Sequence, residues 1–156
     1  MSERKITATD IIEYVKGGMM VSTSNFDIKV SEFCPYHANR RIDAFYLRVH
    51  DKTTKGYEIK VSRSDFLGDD KWDNYLKYCN YFYFVAPKGL IGKHELPDGV
   101  GLIEVFWREG WNEDTYHMQS EIAKKPKRLH DISDEDYIQL LEGVVLKLAY
   151  NRNLLK

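Results

Sequence analysis

The sequence has few of the residues that mark several protein classes. It contains two cysteines and four prolines in 156 residues, and Cys34 and Cys79 lie far apart with no second pair beside them. This count favours neither a disulfide framework nor a zinc cluster. No apolar run approaches the roughly 20 residues that cross a bilayer, and the first ten residues, MSERKITATD, lack the apolar stretch of a secretory signal. We therefore expect a cytoplasmic protein with no membrane partner.

Net charge is nearly absent as well. The formal charge is −1, so the overall field of the protein would not hold it on a polyanion, and any nucleic-acid binding must use a local basic surface. Hydrophobic residues make up 43% and charged residues 30%, which is typical of a globular protein. The length suits one core, so we expect a single domain over residues 1–156.

The hydrophobic pattern predicts one sheet with helices. The elements are a helix over 7–16, strands ending near 32 and covering 41–50 and 57–61, a helix over about 69–80, strands over 81–86 and 101–107, and a helix over 134 to about 150. Residues 118–130 have the least regular pattern. This order predicts an α/β or α+β domain built on a single sheet.

Three charged residues stand inside the predicted strands. Asp43 interrupts one apolar strand, and Glu58 and Lys60 lie in the next one. A charge in such a place is costly to bury and calls for a functional or structural reason. Residues two apart in a strand project to the same face, so Glu58 and Lys60 point together, and a neighbouring strand can bring Asp43 beside them.

Two carboxylates and an ammonium group suit the hydrolysis of phosphodiesters. Carboxylate oxygens, together with a main-chain carbonyl such as that of Ile59, are ligands for a hard divalent ion, Mg²⁺ or Mn²⁺. The ion would activate water, and an adjacent lysine would orient the nucleophile or stabilise the developing charge. The alternative is a structural ion pair at a sheet edge that faces solvent. The spacing D-x(14)-E-x-K does not by itself decide between the two.

Longer stretches resemble the MmcB-like DNA-repair family, which belongs to the PD-(D/E)XK nuclease superfamily. The resemblance covers roughly Ser31 to Val105 and is carried by RRIDAFYL, by YEIKVSRSDFLGDDKWDNYLKYCNYFYFVAP and by LPDGVGLIEV. Its most specific part is E-x-K followed by V-S-x-x-D-F, D-x-K-W and Y-F-x-V-A-P, from Glu58 to Pro87. Ile42 replaces the proline that precedes the motif aspartate in the superfamily name; that proline is not a metal ligand.

The resemblance implies a fold, an activity and a set of site residues. The fold is a restriction-endonuclease-like core of order αβββαβ, an α/β single mixed sheet flanked by helices, over about 7–107, with a C-terminal helical extension over about 118–156. The activity is metal-dependent hydrolysis of DNA in repair, recombination or mobile-element biology. The implied catalytic residues are Asp43 and Glu58 as metal ligands, Lys60 as the catalytic lysine and Glu32 as an upstream acid. Glu13 on the first helix is the alternative to Glu32.

The partners are the least determined part of the prediction. Four basic residues near the proposed centre, Arg40, Arg41, Arg63 and Lys71, could hold the phosphates of DNA, or they could be ordinary solvated charges. Superfamily nucleases often pair, so we expect a possible homodimer. Two rival functions stay open, a DNA-binding module without catalysis and a protein-interaction domain.

Overall fold

One six-stranded sheet with helices on both faces makes up the computed structural model, which describes residues 4–17, 27–35, 41–70, 72–112 and 115–152. No helix in these ranges is long and apolar enough to cross a bilayer. The elements in chain order are α1 (Ala8–Lys16), β1 (Ile28–Phe33), β2 (Ile42–Arg48), β3 (Thr53–Ile59), α2 (Arg63–Gly68), a 3₁₀ helix (Trp72–Tyr78), β4 (Tyr81–Pro87), a short 3₁₀ turn (Lys93–Glu95), β5 (Gly101–Glu109), β6 (Tyr116–Lys124) and α3 (Asp134–Arg152).

The strands lie side by side in their chain order. β1, β2 and β3 form an antiparallel meander, β3, β4 and β5 are parallel, and β6 returns antiparallel to β5. A parallel pair needs a crossover connection, which α2 and the 3₁₀ helix provide between β3 and β4. The prediction of a single mixed sheet with the order αβββαβ is confirmed. The parallel arrangement brings the carboxyl ends of β3, β4 and β5 to one edge of the sheet.

The helix expected over 69–80 is divided in the structure. Ser62 caps α2, since its side-chain oxygen accepts the backbone N–H of Asp65 at 3.2 Å, and the helix runs only from Arg63 to Gly68. Asp69 is extended, with φ −89° and ψ 106°, and this conformation ends the helix. The helical spacing of the later apolar residues belongs to a separate 3₁₀ helix, in which Trp72 packs its ring on Phe82 and Phe84.

The segment 118–130 corrects a second expectation. It was expected to be irregular and part of a helical extension, yet residues 116–124 form the edge strand β6. Tyr116 pairs with Glu109, and Ile122 pairs with Ile103. Met118 and Ile122 alternate with polar residues and pack on the core, which is the period-two pattern of a strand with one solvated face. Pro126, which prevents regular structure from continuing, lies beyond the end of this strand.

The two faces of the sheet carry different aromatic residues. On the face covered by α1, the buried rings are Tyr46, Tyr57 and Tyr83, which lie in a row with centroids 4.8 and 5.2 Å apart; Tyr57 is tilted against Tyr46 and stacked on Tyr83. On the face covered by α2, the 3₁₀ helix and α3, they are Phe33, Phe45, Phe82 and Phe84. The alternation along β4 places its tyrosine and phenylalanine side chains on opposite faces. The high aromatic content is therefore mainly core.

A buried polar network ties the start of β3 to the start of β4. Thr54 N–H donates to Asn80 Oδ1 at 2.9 Å, and Asn80 N–H donates to Thr54 Oγ1 at 2.9 Å. Asn80 Nδ2 also donates to the carbonyl of His130 at 3.0 Å. Each buried polar group in this network has a partner, so the network holds the parallel pair in register at the end opposite the charged residues.

Candidate active site

Four charged side chains meet where β3 ends. Asp43 comes from β2, Glu58 from β3, Lys60 from the residue after the end of β3, and Asp69 from the end of α2. Glu58 is in register with Phe84, so it projects to the face of the sheet covered by α2. We call these four residues the Asp–Glu–Lys cluster.

Asp43 is held against the backbone of β3. The backbone ladder between β2 and β3 ends at the pair Ala44–Tyr57, and beyond that pair the side chain of Asp43, not the backbone of β2, binds β3. Asp43 Oδ2 accepts the N–H of Ile59 at 2.8 Å. The aspartate therefore lies against the main chain between Glu58 and Lys60, as the strand argument expected. The hydrogen bond also satisfies an amide that the diverging strands would otherwise leave without a partner.

Lys60 is a buried ammonium group between two acids. Its Nζ atom lies 2.6 Å from Asp69 Oδ2 and 3.5 Å from Glu58 Oε1, and only 10% of its side chain is exposed. Burial alone would lower the pKa of Lys60, but the hydrogen bond that Lys60 donates to Asp69 and the charge of Glu58 outweigh burial and raise it. The lysine is therefore held as a cation between two acids.

Burial disfavours the charged forms of Asp43 and Glu58, the two carboxyl groups that the strands contribute. Burial, and then the nearby charge of Asp43, raise the pKa of Glu58 to about 8 in spite of Lys60. Burial also raises the pKa of Asp43, against the lowering effect of its hydrogen bond from Ile59. Glu58 Oε2 is covered and has no hydrogen-bond partner among the described residues. A cation at this position would offset the repulsion between the charged forms of Asp43 and Glu58, and it would give Glu58 Oε2 a partner.

The donor chemistry therefore fits a hard divalent ion. Asp43 and Glu58 offer carboxylate oxygens, which Mg²⁺ and Mn²⁺ prefer, and magnesium is commonly held by one or two carboxylates plus water and substrate phosphate. Over the described ranges, no group of three His, Cys, Asp or Glu side chains is assembled in metal-binding geometry. Asp43 and Glu58 are two carboxyl groups whose oxygens suit such an ion.

Glu32 and Glu13, the two candidates for an upstream acid, lie in different settings. The antiparallel register of β1 and β2 continues through Ser31–Ala44 and Phe33–Ile42, so Glu32 occupies the position opposite Asp43. Its charge contributes to the raised pKa of Asp43. Glu13 instead pairs with Lys16 at 3.6 Å and has 68% of its side chain exposed. The geometry thus brings Glu32 toward the cluster and leaves Glu13 in solvent.

The backbone at Glu32 is unusual. Its φ is 48°, in the left-handed region that non-glycine residues rarely adopt, although the residue lies inside β1. Glu32 takes no part in the ladder, and the side chains of Val30 and Phe33 on either side of it both enter the same core. A local irregularity of this kind redirects a side chain, and such irregularities are common near functional sites.

The predicted DNA contacts are only partly described. Arg41 is exposed and precedes β2, two residues before Asp43. Arg63 is engaged within the protein, because its guanidinium donates to both oxygens of Glu95 at 2.8 Å and to the carbonyl of Leu90 at 2.9 Å. Arg40 and Lys71 lie outside the described residues.

The basic residues of the stretch 124–128 also make contacts within the protein. Lys124 Nζ donates to the carbonyl of Pro97 at 2.7 Å, Lys127 pairs with Asp98 at 2.9 Å, and Arg128 pairs with Asp131 at 3.0 Å. These contacts attach the segment after β6 to neighbouring loops.

Asp69 is the member of the cluster that the sequence reasoning did not assign. A signal for it was present, because Asp69 opens the D-x-K-W stretch and follows the helix that Ser62 begins. The strand pattern could not reveal it, since Asp69 lies in a connection and reaches Lys60 only through the fold. Its contact with the lysine, at 2.6 Å, makes it the fourth member of the cluster.

Comparisons with known proteins add a family and a fold. The model of the MmcB-like family, described as "DNA repair protein MmcB-like", matches residues 8–134. The chain is also similar to the solved structure of a protein of unknown function from Silicibacter pomeroyi, with 22% identity and a TM-score of 0.64, over 83% of this chain and 80% of that one. At this identity the likeness concerns the fold. A search of curated proteins found no match.

Proposed function

The chain belongs to the MmcB-like family of DNA repair proteins, and on that premise we propose that it is a divalent-metal-dependent nuclease that hydrolyses DNA phosphodiester bonds. The observation that carries this proposal is the Asp–Glu–Lys cluster, in which the half-buried carboxyl group of Asp43 and the buried one of Glu58 both have raised pKa values and lie beside the buried ammonium group of Lys60. Titratable groups perturbed together by burial and by each other are typical of catalytic centres.

The proposed metal ligands are Asp43 and Glu58, with the main-chain carbonyl of Ile59 and the carboxylate of Glu32 as further donors. When bound, Mg²⁺ or Mn²⁺ would polarise the scissile phosphate and lower the pKa of a coordinated water. The covered Glu58 Oε2 supports the proposal, because an acceptor atom without a donor is a place for a cation. Ionised Asp43 and Glu58 would in turn be stabilised by the added positive charge.

Lys60 has a separate role in the proposal. Its ammonium group, held by Asp69, would donate hydrogen bonds to a phosphate oxygen or to the attacking water. A preorganised donor in a dry site stabilises negative charge that develops in the transition state without reorganising first. The raised pKa of Lys60, which follows from Asp69 and Glu58, favours the charged form that this role needs.

The acidic surroundings require basic side chains to bring DNA near. Arg41 is exposed close to Asp43, and we propose it as a phosphate contact together with Arg40, Arg63 and Lys71. Arg63 would keep its contact with Glu95 and offer its remaining donors, or exchange that carboxylate for a phosphate.

The direct test is cleavage of DNA by single-residue variants. Purified Asp43→Ala and Lys60→Ala should each lose activity by about 100-fold or more on the single-stranded, duplex or branched DNA that the parent cuts with Mg²⁺ or Mn²⁺. Asp65→Ala, which removes an exposed acid on the neighbouring helix, is the control and should cut normally. Full activity in folded Asp43→Ala and Lys60→Ala would refute the nuclease assignment.

A DNA-binding module without catalysis is the second candidate. The observation in its favour is that the described residues present two suitable carboxylates rather than an assembled group of three ligands. Calorimetry separates the two functions, since the nuclease should bind Mn²⁺ and lose that binding with Glu58→Ala. A module of the second kind would bind DNA with no metal requirement and with no effect of Glu58→Ala.

The proposal includes self-association through the outer face of α3. Ile138 and Val145 are 54% and 64% exposed and lie on a different face of α3 from the buried residues Leu140 and Val144. Leu141 and Leu146 line the same shallow apolar pocket as these two residues, so two copies of α3 would cover one another's apolar surface. Light scattering should show a dimer that Val145→Glu disrupts. Val49→Glu, at a 51% exposed valine elsewhere, should leave the dimer intact.

A further inference from the structure

A second surface lies at the same edge of the sheet as the Asp–Glu–Lys cluster. It is a cavity of about 600 Å³ between the N-terminal segment, the ends of β4 and β5 and the start of β6. Three basic side chains, two aromatic rings and one acid give it its chemistry, and we call this surface the aromatic groove: Arg4, Lys5, Lys88, Trp107, Tyr116 and Glu109.

The aromatic groove begins next to the cluster. Val61 lines it, directly after Lys60, and Lys88 lines it at the end of β4, where its N–H donates to the carbonyl of Val105 at 2.9 Å. Val61 packs on the core that α1 covers, whereas Glu58 projects to the opposite face. The two features therefore meet at the carboxyl ends of the parallel strands, one on each side of the sheet. A flexible polymer that crosses this edge of the sheet can contact both the cluster and the groove.

The contacts inside the groove pair cations with ring faces. The Arg4 guanidinium lies 4.4 Å from the centroid of Trp107 and 5.7 Å from that of Tyr116. Lys88 Nζ, at the rim, lies 3.1 Å from Glu121 and 5.3 Å from the ring of Phe106, which strand alternation places on the face opposite Trp107. Trp107 Nε1 is covered and has no hydrogen-bond partner among the described residues. The rings of Trp107 and Tyr116 are half-buried, whereas Arg4 is exposed, so a ligand can displace the guanidinium from the ring faces.

We propose that the aromatic groove binds an unpaired segment of DNA that flanks the phosphate cut at the cluster. Single-stranded nucleic acid is bound by basic side chains that follow its phosphates and by aromatic rings on which its bases stack. A base inside a duplex has both faces covered by its neighbours and cannot offer one to Trp107 or Tyr116. Stacking of a base is stronger than an exposed cation–π contact, so a base can replace Arg4 on the indole and leave the guanidinium for a phosphate.

This inference rests on the proposed function, since it names the form of DNA that reaches the cluster, yet it can be tested apart from cleavage. Binding of a fluorescein-labelled oligothymidine is measured by anisotropy in EDTA, where no metal-dependent hydrolysis takes place. Tyr116→Ala and Trp107→Leu should weaken binding about tenfold each. Tyr116→Phe keeps the ring and should bind as the parent does. Trp111→Ala removes a fully exposed indole outside the groove and should have no effect.

The basic side chains have their own control. The exposed pair Arg4→Ala/Lys5→Ala should fold normally, weaken binding of the single strand and lower its dependence on salt. Lys93→Ala removes one exposed charge that does not line the groove and should change binding less. This arm keeps the test decisive if an aromatic variant does not fold.

The outcomes separate the groove from the nuclease. Loss of oligothymidine binding in the groove variants, with normal binding by Trp111→Ala, supports the groove even if no variant cuts DNA. If the groove variants weakened the binding of a duplex of the same length equally, the single-strand assignment would be overturned. Unchanged binding in both sets of groove variants would overturn the inference, even where cleavage depends on Asp43. No measurable binding of oligothymidine by the parent would overturn it as well.

Discussion

Lys60 and Asp69 form the shortest ion pair of the candidate site, with 2.6 Å between Nζ and Oδ2. The partners come from the end of β3 and the end of α2, so the contact joins the sheet to the crossover that makes β3 and β4 parallel. Both side chains are largely covered, at 10% and 13% exposure. A covered pair is weakly screened, and removing one partner leaves a buried charge. The position of the lysine therefore depends on the aspartate.

We expect Asp69→Asn to impair catalysis without preventing DNA binding. The amide can still accept a hydrogen bond from Lys60 but no longer carries the charge that fixes the ammonium, so kcat should fall about tenfold to 100-fold while KM changes little. Single-turnover cleavage at saturating metal measures the effect. Asp65→Asn, on the same helix and exposed, should match the parent. A change confined to KM would show that Asp69 does not position Lys60.

Glu58→Gln should alter how stability depends on pH. In the metal-free protein the pKa of Glu58 is raised to about 8 by burial and by Asp43, above its ordinary value of 4.5. Between these two values the native state holds a proton that the unfolded chain has released, so stability falls as pH rises through this window. The glutamine does not ionise. Relative to the parent, the variant should therefore gain roughly 1 to 3 kcal/mol between pH 5 and pH 8.

Urea unfolding in EDTA at the two pH values measures this gain. Glu13→Gln is the matched control, because Glu13 is exposed on α1, and it should follow the parent at both pH values. If Glu58→Gln and the parent show the same pH dependence, Glu58 is ionised at little cost in the native state, and the burial argument for the site fails.

The choice between the two upstream acids can be measured directly. Glu32 lies opposite Asp43 in the sheet register, whereas Glu13 lies in solvent beside Lys16. Glu32→Gln should therefore weaken Mn²⁺ binding by about tenfold in calorimetry, and Glu13→Gln should leave it unchanged. The reverse order would assign the upstream acid to the first helix.

A position in β3 tests the packing beneath the site. A methyl group at Gly56 would lie 2.5 Å from Cys79 Sγ and 3.1 Å from Phe82, so Gly56→Ala should destabilise the fold by about 1 to 3 kcal/mol. Cys79→Ala makes room for that methyl group. In a double-mutant cycle the two changes should therefore be less harmful together than their sum. Strict additivity would show that the clash is relieved by movement elsewhere.

The central helix shows where local pattern and tertiary structure part. Trp72, Tyr75 and Leu76 have helical spacing, and the sequence alone predicted one helix over about 69–80. The structure instead ends α2 at Gly68 and leaves Asp69 extended, where its carboxylate reaches Lys60. Apolar spacing reports which residues face the core, but it does not report a break that a charge contact across the fold stabilises. The strand β6 was missed because its alternation is weak beside its many polar residues.

The sequence by itself determined that Glu58 and Lys60 share a face, since strand geometry places residues two apart on the same side. It also determined the order αβββαβ and the family resemblance, because turns, strands and motifs are local patterns. Only the tertiary structure decided that Asp43 binds the Ile59 amide, that Asp69 holds Lys60, and that Glu32 rather than Glu13 lies toward the cluster. Those relationships depend on strand register and on the path of the crossover, which bring together residues that no local spacing connects.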